Sequence, residues 1–185
     1  MFVKLKIENP FTPYTFLTSN DIRSEFCKTE GGLKYGIRYF RTNLDTKRFG
    51  FAVPEDILQD FTFDHMKIND RVIPHTDSYI KCSINFYIAT SNCETIFYQR
   101  KQNASSIKEG MSPYQANGRN YHYRDVTPVG SFIANPYEVW LLDTTKIHSV
   151  EPLGEGLLYR DAIVLQTRKY SFDKLKSICE TYGSI

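Results

Sequence analysis

What this 185-residue chain lacks narrows what it can be. No apolar run approaches the ~20 residues that a membrane helix needs. Residues Met1 to Pro10 scatter lysines among isolated apolar positions and contain no signal-peptide core. The expectation is a cytoplasmic protein without a membrane partner. The net charge is only +2, too small to argue by itself for nucleic acid or an anionic membrane, and there is no basic tail or acidic block. The four cysteines, Cys27, Cys82, Cys93 and Cys179, form no Cys-x-x-Cys pair, which leaves a cysteine zinc site little support. In a reducing compartment they stay thiols, and Cys82 sits in an apolar pattern as a small buried residue. Internal repeats and low-complexity stretches are also absent.

The composition is that of a globular protein, 41% hydrophobic and 24% charged. The length suits a single domain over residues 1–185. Thirteen Tyr and thirteen Phe lean towards β structure. Alternation predicts a first strand over Phe2 to Ile7. Ser19 to Cys27 reads as a short helix capped by Ser19 or Asn20, ended by Gly31-Gly32. Leu33 to Thr42 reads as a strand, and Pro54 to Phe61 as a helix with proline at its first position. The clearest strand is Ile80 to Ile88. There Ile80, Cys82, Ile84, Phe86 and Ile88 point one way, and Tyr79, Lys81, Ser83, Asn85 and Tyr87 the other. Further strands are expected at Thr95 to Arg100, Glu138 to Leu142 and Arg160 to Arg168. A C-terminal helix is expected over 171–182, capped by Ser171. Gln102 to Pro113 and Tyr114 to Pro128 are polar and read as long loops, which in compact domains are more often functional than structural.

The chemistry concentrates in three places. In His75-Thr76-Asp77 the imidazole and carboxylate are two residues apart, so in an extended segment they face the same way and can converge on one ion. His148, beyond the strand ending at Leu142, can supply a third ligand. Two histidines and one carboxylate on one face of a metal leave its other positions open, as in non-haem iron(II) oxygenases. Arg160 opens a β-like run and shares a face with Ala162 and Val164. An arginine facing a β-barrel interior is costly unless a carboxylate meets it, and a dicarboxylate ligand would do so in a bidentate pair. Ser83, Asn85 and Tyr87 have the parity of His75 and Asp77, so they line the same cavity. A solvated sheet face or a strand-end arginine in water explains each feature singly, but not the set together.

The segments Ile73-Pro74-His75-Thr76-Asp77, Cys82 to Ile88, Glu94-Thr95-Ile96-Phe97, Trp140 to Pro152 and Arg160-Asp161-Ala162 together resemble the 2-oxoglutarate/iron(II)-dependent oxygenase superfamily. The similarity runs from about 72 to 166 and is greatest to the prolyl-hydroxylase-like branch. It implies a β-rich α+β fold with a double-stranded β-helix, or jelly-roll, core over about 72–168. It implies Fe(II) on His75, Asp77 and His148, with 2-oxoglutarate and O2 as cosubstrates. Arg160 would hold the far carboxylate of 2-oxoglutarate, Tyr87 would meet the same group, and Asn85 and Ser83 would make lesser contacts. The substrate would be a peptide or small molecule, hydroxylated at a C–H bond. Two positions depart from the family pattern: Ala162 replaces a frequent Ser or Thr, and Asn92-Cys93-Glu94 replaces a frequent Gly-Gly turn.

Two other functions fit parts of the pattern. A cupin-like module would bind metal or carboxylate without turnover. A nucleic-acid-modifying oxygenase would use Arg100, Lys101, Lys108, Arg119 and Arg124, interleaved with Tyr114, Tyr121 and Tyr123, to grip a single strand. His122 is an alternative third metal ligand, His65 reads as structural and Trp140 as core. Arg168 shares a face with Arg160 but lies roughly 26 Å along the strand, too far to serve the same ligand.

Overall fold

The computed structural model describes residues 1–12, 18–25, 37–42, 44–77, 79–102 and 119–184, with residues 18–25, 38 and 41 described for backbone only. Among the described residues, twelve strands form two antiparallel sheets. Their ranges are β1 Phe2–Leu5, β2 Thr18–Glu25, β3 Ile37–Thr42, β4 Phe61–Ile68, β5 Val72–Thr76 and β6 Cys82–Ser91. There follow β7 Cys93–Arg100, β8 Arg119–Asn120, β9 Val126–Phe132, β10 Val139–Leu142, β11 Ile147–Pro152 and β12 Tyr159–Thr167, and then helix α1, Phe172–Thr181. The larger sheet runs β1-β10-β6-β12-β4-β3-β2, and the smaller β8-β5-β11-β7-β9. Successive strands from β4 to β7 and from β9 to β12 alternate between the sheets as nested hairpins. That is the winding of a jelly-roll, so the chain is a β-rich fold of this class.

The alternation in β6 separates two cores. Cys82, Ile84, Phe86 and Ile88 join Ile163, Leu165, Val139 and Leu141 in a cluster outside the larger sheet. Leu175 and Cys179 of α1, together with Phe11, Phe49 and Leu58, cover that cluster. Tyr87, Ala162, Val164, Met66, Phe97 and Val150 fill the space between the sheets. Because the larger sheet is buried on both faces, polar residues on the inner face of β6 are enclosed by the second sheet.

Several expected elements differ. Thr18–Glu25 is a strand on the sheet edge, not a helix; pairing with β3 overrides its weak local signal. Cys27 and residues 33–36 lie outside the described residues. Glu55–Asp60 forms a 3-10 helix after Pro54, and Phe61 already belongs to β4, a strand the sequence did not announce. The clear strand begins at Cys82 rather than Ile80. Most of the two expected loops, 103–118, lies outside the described residues. Beyond it, Arg119–Asn120 pairs with β5, and Val126 to Pro128 belong to β9. The C-terminal helix is as expected, with the Ser171 hydroxyl accepting from the Lys174 N–H.

The ring of Phe86 contacts those of Phe11, Phe49 and Phe51 at centroid distances of 5.3, 5.7 and 5.7 Å. Phe86→Ala should therefore cost about 3–5 kcal/mol. Urea unfolding would show a lowered midpoint at unchanged slope; a loss under ~1 kcal/mol would mean the cluster is not the core it appears from packing.

Candidate metal centre

Antiparallel pairing of β5 with β11 sets His75 directly opposite His148. Directly opposed residues put their side chains on one face, and the two imidazole centroids are 4.4 Å apart. The register shifts between Val72 and His75. Pro74 has no N–H to give the ladder, and the bulge accommodates it. Within that bulge the Ile73 carbonyl accepts from His75 Nδ1 at 2.8 Å. The Lys146 carbonyl accepts from His148 Nδ1 at 2.9 Å. A carbonyl can only accept, so each Nδ1 carries a proton, and a ring neutral in this tautomer presents its lone pair at Nε2. These outer contacts fix the tautomer that a metal ligand requires.

Asp77 follows β5, its N–H donating to the Thr144 carbonyl at 3.1 Å. Its Oδ1 is 3.4 Å from His75 Nε2 and 3.9 Å from His148 Nε2. The three donor atoms all lie within 4.8 Å of one another. Two lone pairs and a carboxylate oxygen aimed at one point repel unless a proton or a cation lies between them. Adjacent ligands at about 2.1 Å from an ion lie about 3 Å apart, so both Asp77 distances are within about 1 Å of a bound geometry. The residues therefore fit a divalent metal, and the donor set suits a first-row ion with positions to spare. Among the described residues this is the one such cluster, and His122 is not in it.

The electrostatics agree. Burial, joined by the neighbouring His75, pushes His148 down from 6.5 to about 4, against the opposing pull of Asp77. Burial alone would raise Asp77, but His75 and the charges of both histidines outweigh it and hold the carboxyl below its ordinary value. At neutral pH the centre is a neutral His148 beside an ionised Asp77, the protonation a metal needs.

A cavity of about 60 Å³ between the sheets is lined by all three triad residues and by Ser83, Asn85, Thr95, Thr144, Gln166 and Arg160, among apolar neighbours. Arg160 is only 2% exposed. Its Nη1 donates to Thr95 Oγ1 at 2.9 Å and its Nη2 to Cys93 Sγ at 3.7 Å. Its guanidinium lies 5.2 Å from the ring centre of Tyr87. Among the described residues its Nε has no partner and no carboxylate pairs with it, and Asn85 Oδ1 in the same cavity is also unpartnered. Tyr87 is buried beneath the guanidinium, its hydroxyl accepting from Asn85 Nδ2 at 3.3 Å. A bulge between Asp161 and Ala162 lies in the β6–β12 ladder beside Arg160.

Of the remaining candidates, His65 on β4 pairs with the buried Asp161 at 2.5 Å, a structural contact on the outer face. Trp140 stacks on Phe132 at 4.1 Å. Arg119 and Arg124 are exposed, and Lys108 and Tyr114 lie outside the described residues. Sequence reasoning missed Thr95 as the neighbour of Arg160. It also missed the buried Asn120, opposite His75 on β8 with an unpartnered Nδ2. Strict alternation from Phe97 would have turned Thr95 inward, but no local signal marks the two-residue β8.

Fold and site together define a jelly-roll domain with a His-Asp-His candidate metal centre. No protein-family model matches the chain, and no curated protein sequence matches it. Among solved structures it is similar to an Acinetobacter sp. L-ribose isomerase mutant in complex with L-ribose, at 13% identity and a TM-score of 0.37. The match covers 72% of this chain and 59% of that one. The chain thus spans less than two-thirds of that enzyme, and so slight a likeness carries no argument about the site. No helix among the described residues is long and apolar enough to cross a membrane.

Because the unfolded chain binds a proton near pH 6.5 that His148 refuses until about 4, stability of the metal-free protein should fall as pH drops across that window. The loss should be on the order of 3 kcal/mol. Urea unfolding at stepped pH would show it, and His148→Asn should flatten the slope between those values. An unchanged slope in the variant would refute the assignment.

Proposed function

We propose that this protein is an iron(II)- and 2-oxoglutarate-dependent oxygenase acting on a C–H bond of a peptide or small molecule. The observation that carries the reading is Arg160: a charge buried in the cavity of the triad, answered by no carboxylate among the described residues. A buried cation left so is costly, and a ligand carboxylate relieves the cost. His75, Asp77 and His148 would hold iron(II), their tautomers set by the Ile73 and Lys146 carbonyls. When bound, iron with 2-oxoglutarate and O2 supplies the oxidising chemistry.

The chain's own residues orient and exclude. Arg160, steadied by Thr95 and the Tyr87 ring, would take the far carboxylate in a charge-assisted, bidentate pair. Asn85 Oδ1 and Ser83 offer polar contacts on the larger sheet, and Val72, Leu142, Val150 and Val164 keep water out. A second reading needs less: a cupin-like module that binds metal and carboxylate without turnover. The triad and Arg160 suffice for that, since binding alone satisfies every group named.

Anaerobically iron-loaded protein would be given 2-oxoglutarate and then O2. Succinate should form, and should vanish in His75→Ala. Arg160→Met, which keeps the volume but not the charge, should weaken 2-oxoglutarate binding by roughly 100-fold while metal binding survives. Binding of both without succinate would favour the module; binding of neither would sink both readings.

A further inference from the structure

Asp77 of the triad also borders a second space. A cleft of about 450 Å³ shares Asp77 with the inner cavity and is otherwise lined by Thr76, Tyr79, Ile80, Lys81, Thr145 and Arg168. Two cations, Lys81 and Arg168, therefore stand at the mouth of the site. The one acidic group lining the cleft, Asp77, has its Oδ1 turned to the two histidines.

Their placement is built by the backbone. The Lys81 N–H donates to the Thr167 carbonyl at 2.9 Å, which sets the start of β6 against the end of β12 and brings Lys81 beside Arg168. The Lys81 ammonium donates to the Lys169 carbonyl at 3.4 Å. The Arg168 guanidinium lies 5.6 Å from the ring centre of Tyr79, a cation–π contact. Neither cation has a carboxylate partner among the described residues.

Tyr79 adds an independent sign. Its φ is +61°, in the left-handed region that a bulky residue enters at a cost of order 1–2 kcal/mol, and the residue is 54% exposed. The chain thus holds an aromatic ring out in solvent, in a strained conformation, under an arginine at the mouth of the candidate site. Packing into a core does not account for it.

Two arginines of the same parity accordingly mark this segment, Arg160 within β12 and Arg168 one residue past its end at Thr167. Arg160 lines the inner cavity, and Arg168 lines the outer cleft that meets the triad at Asp77. Eight residues of extended strand separate them by roughly 26 Å, so one small ligand cannot reach both.

We propose that the Tyr79–Lys81–Arg168 cleft is the substrate subsite and that it takes an anionic group, a carboxylate or a phosphate, on the substrate. This rests on the triad being the reaction centre, as above. The anion is gripped by the Arg168 guanidinium and the Lys81 ammonium, while the Tyr79 ring braces the guanidinium. A substrate anchored there extends past Asp77 towards the metal. The inner arginine recognises the cosubstrate and the outer one the substrate, so the two anions do not compete.

The test needs neither iron nor turnover, so its failure is distinct from failure of the oxygenase reading. In ¹⁵N NMR spectra of the full chain, the Arg168 Nε–Hε signal and the Tyr79 and Lys81 amides would be followed. Inorganic phosphate, then acetate, would be added, with chloride at matched ionic strength as the control. Saturable shifts at millimolar probe are expected. In Arg168→Ala the Tyr79 and Lys81 shifts should weaken at least roughly tenfold, with partial recovery in Arg168→Lys and a smaller loss in Lys81→Gln. Saturation by phosphate alone supports a phosphoryl-bearing substrate, and saturation by acetate as well supports a carboxylate. No saturation beyond the chloride control, or shifts that persist in Arg168→Ala, would overturn the proposal. All three substitutions fall on exposed side chains, so the fold is kept.

Discussion

Antiparallel pairing of β5 with β11 is the contact on which the site depends. It opposes His75 to His148, and the bulge at Pro74 both relieves the missing N–H and releases the Ile73 carbonyl to orient His75. Had the pairing slipped by one residue, one imidazole would point to the outer face and the triad would not exist. β11 also pairs with β7, with Phe97 opposite His148 and Thr95 opposite Val150. The same strand that builds the metal centre thus sets the hydroxyl that steadies Arg160. The candidate triad and, through its Thr95 contact, Arg160 are tied to one ladder.

Their signs are arranged to oppose each other across a small space. Arg160 at one end adds to the factors that keep His148 neutral. Asp77 at the other end is held ionised despite burial. A small cavity lined by a buried cation and three electron-pair donors solvates them poorly. It is best satisfied by an anion and a metal together. The stability that such a core gives up is recovered outside the larger sheet, where Phe11, Phe49, Phe51 and Phe86 interlock without polar atoms.

How much of this was legible in the sequence follows from period and parity. The inner and outer faces of β6 could be read directly, because Cys82 to Ile88 alternates strictly and a strand has a period of two. His75 and Asp77 followed from the same rule, and Arg160 from its shared face with Ala162 and Val164. What could not be read is what long-range pairing decides. Thr18–Glu25 carries helix-cap residues yet is held in a sheet by β3. Arg119–Asn120 is too short to show any period, and its strand character comes wholly from β5. Thr95 was visible as part of a strand, but its contact with Arg160 spans 65 residues and no local pattern encodes it. The strain at Tyr79 was hidden too, since the residue obeyed the alternation of β6 while its backbone had already left the strand.

That departure changes what the alternation meant. As the first inward residue of a strand, Tyr79 would have been one more aromatic packed between sheets. Turned out by its positive φ, it stands exposed beside Arg168, one residue past the end of β12. The distance that separates Arg168 from the inner cavity is what allows the separate role proposed for it. β12 is paired as far as Thr167, so the segment sets Arg160 in the inner cavity and Arg168, just past its end, on the outer cleft. The two spaces meet at Asp77, which lines both, so the cosubstrate and substrate anions proposed above would be held apart within one jelly-roll.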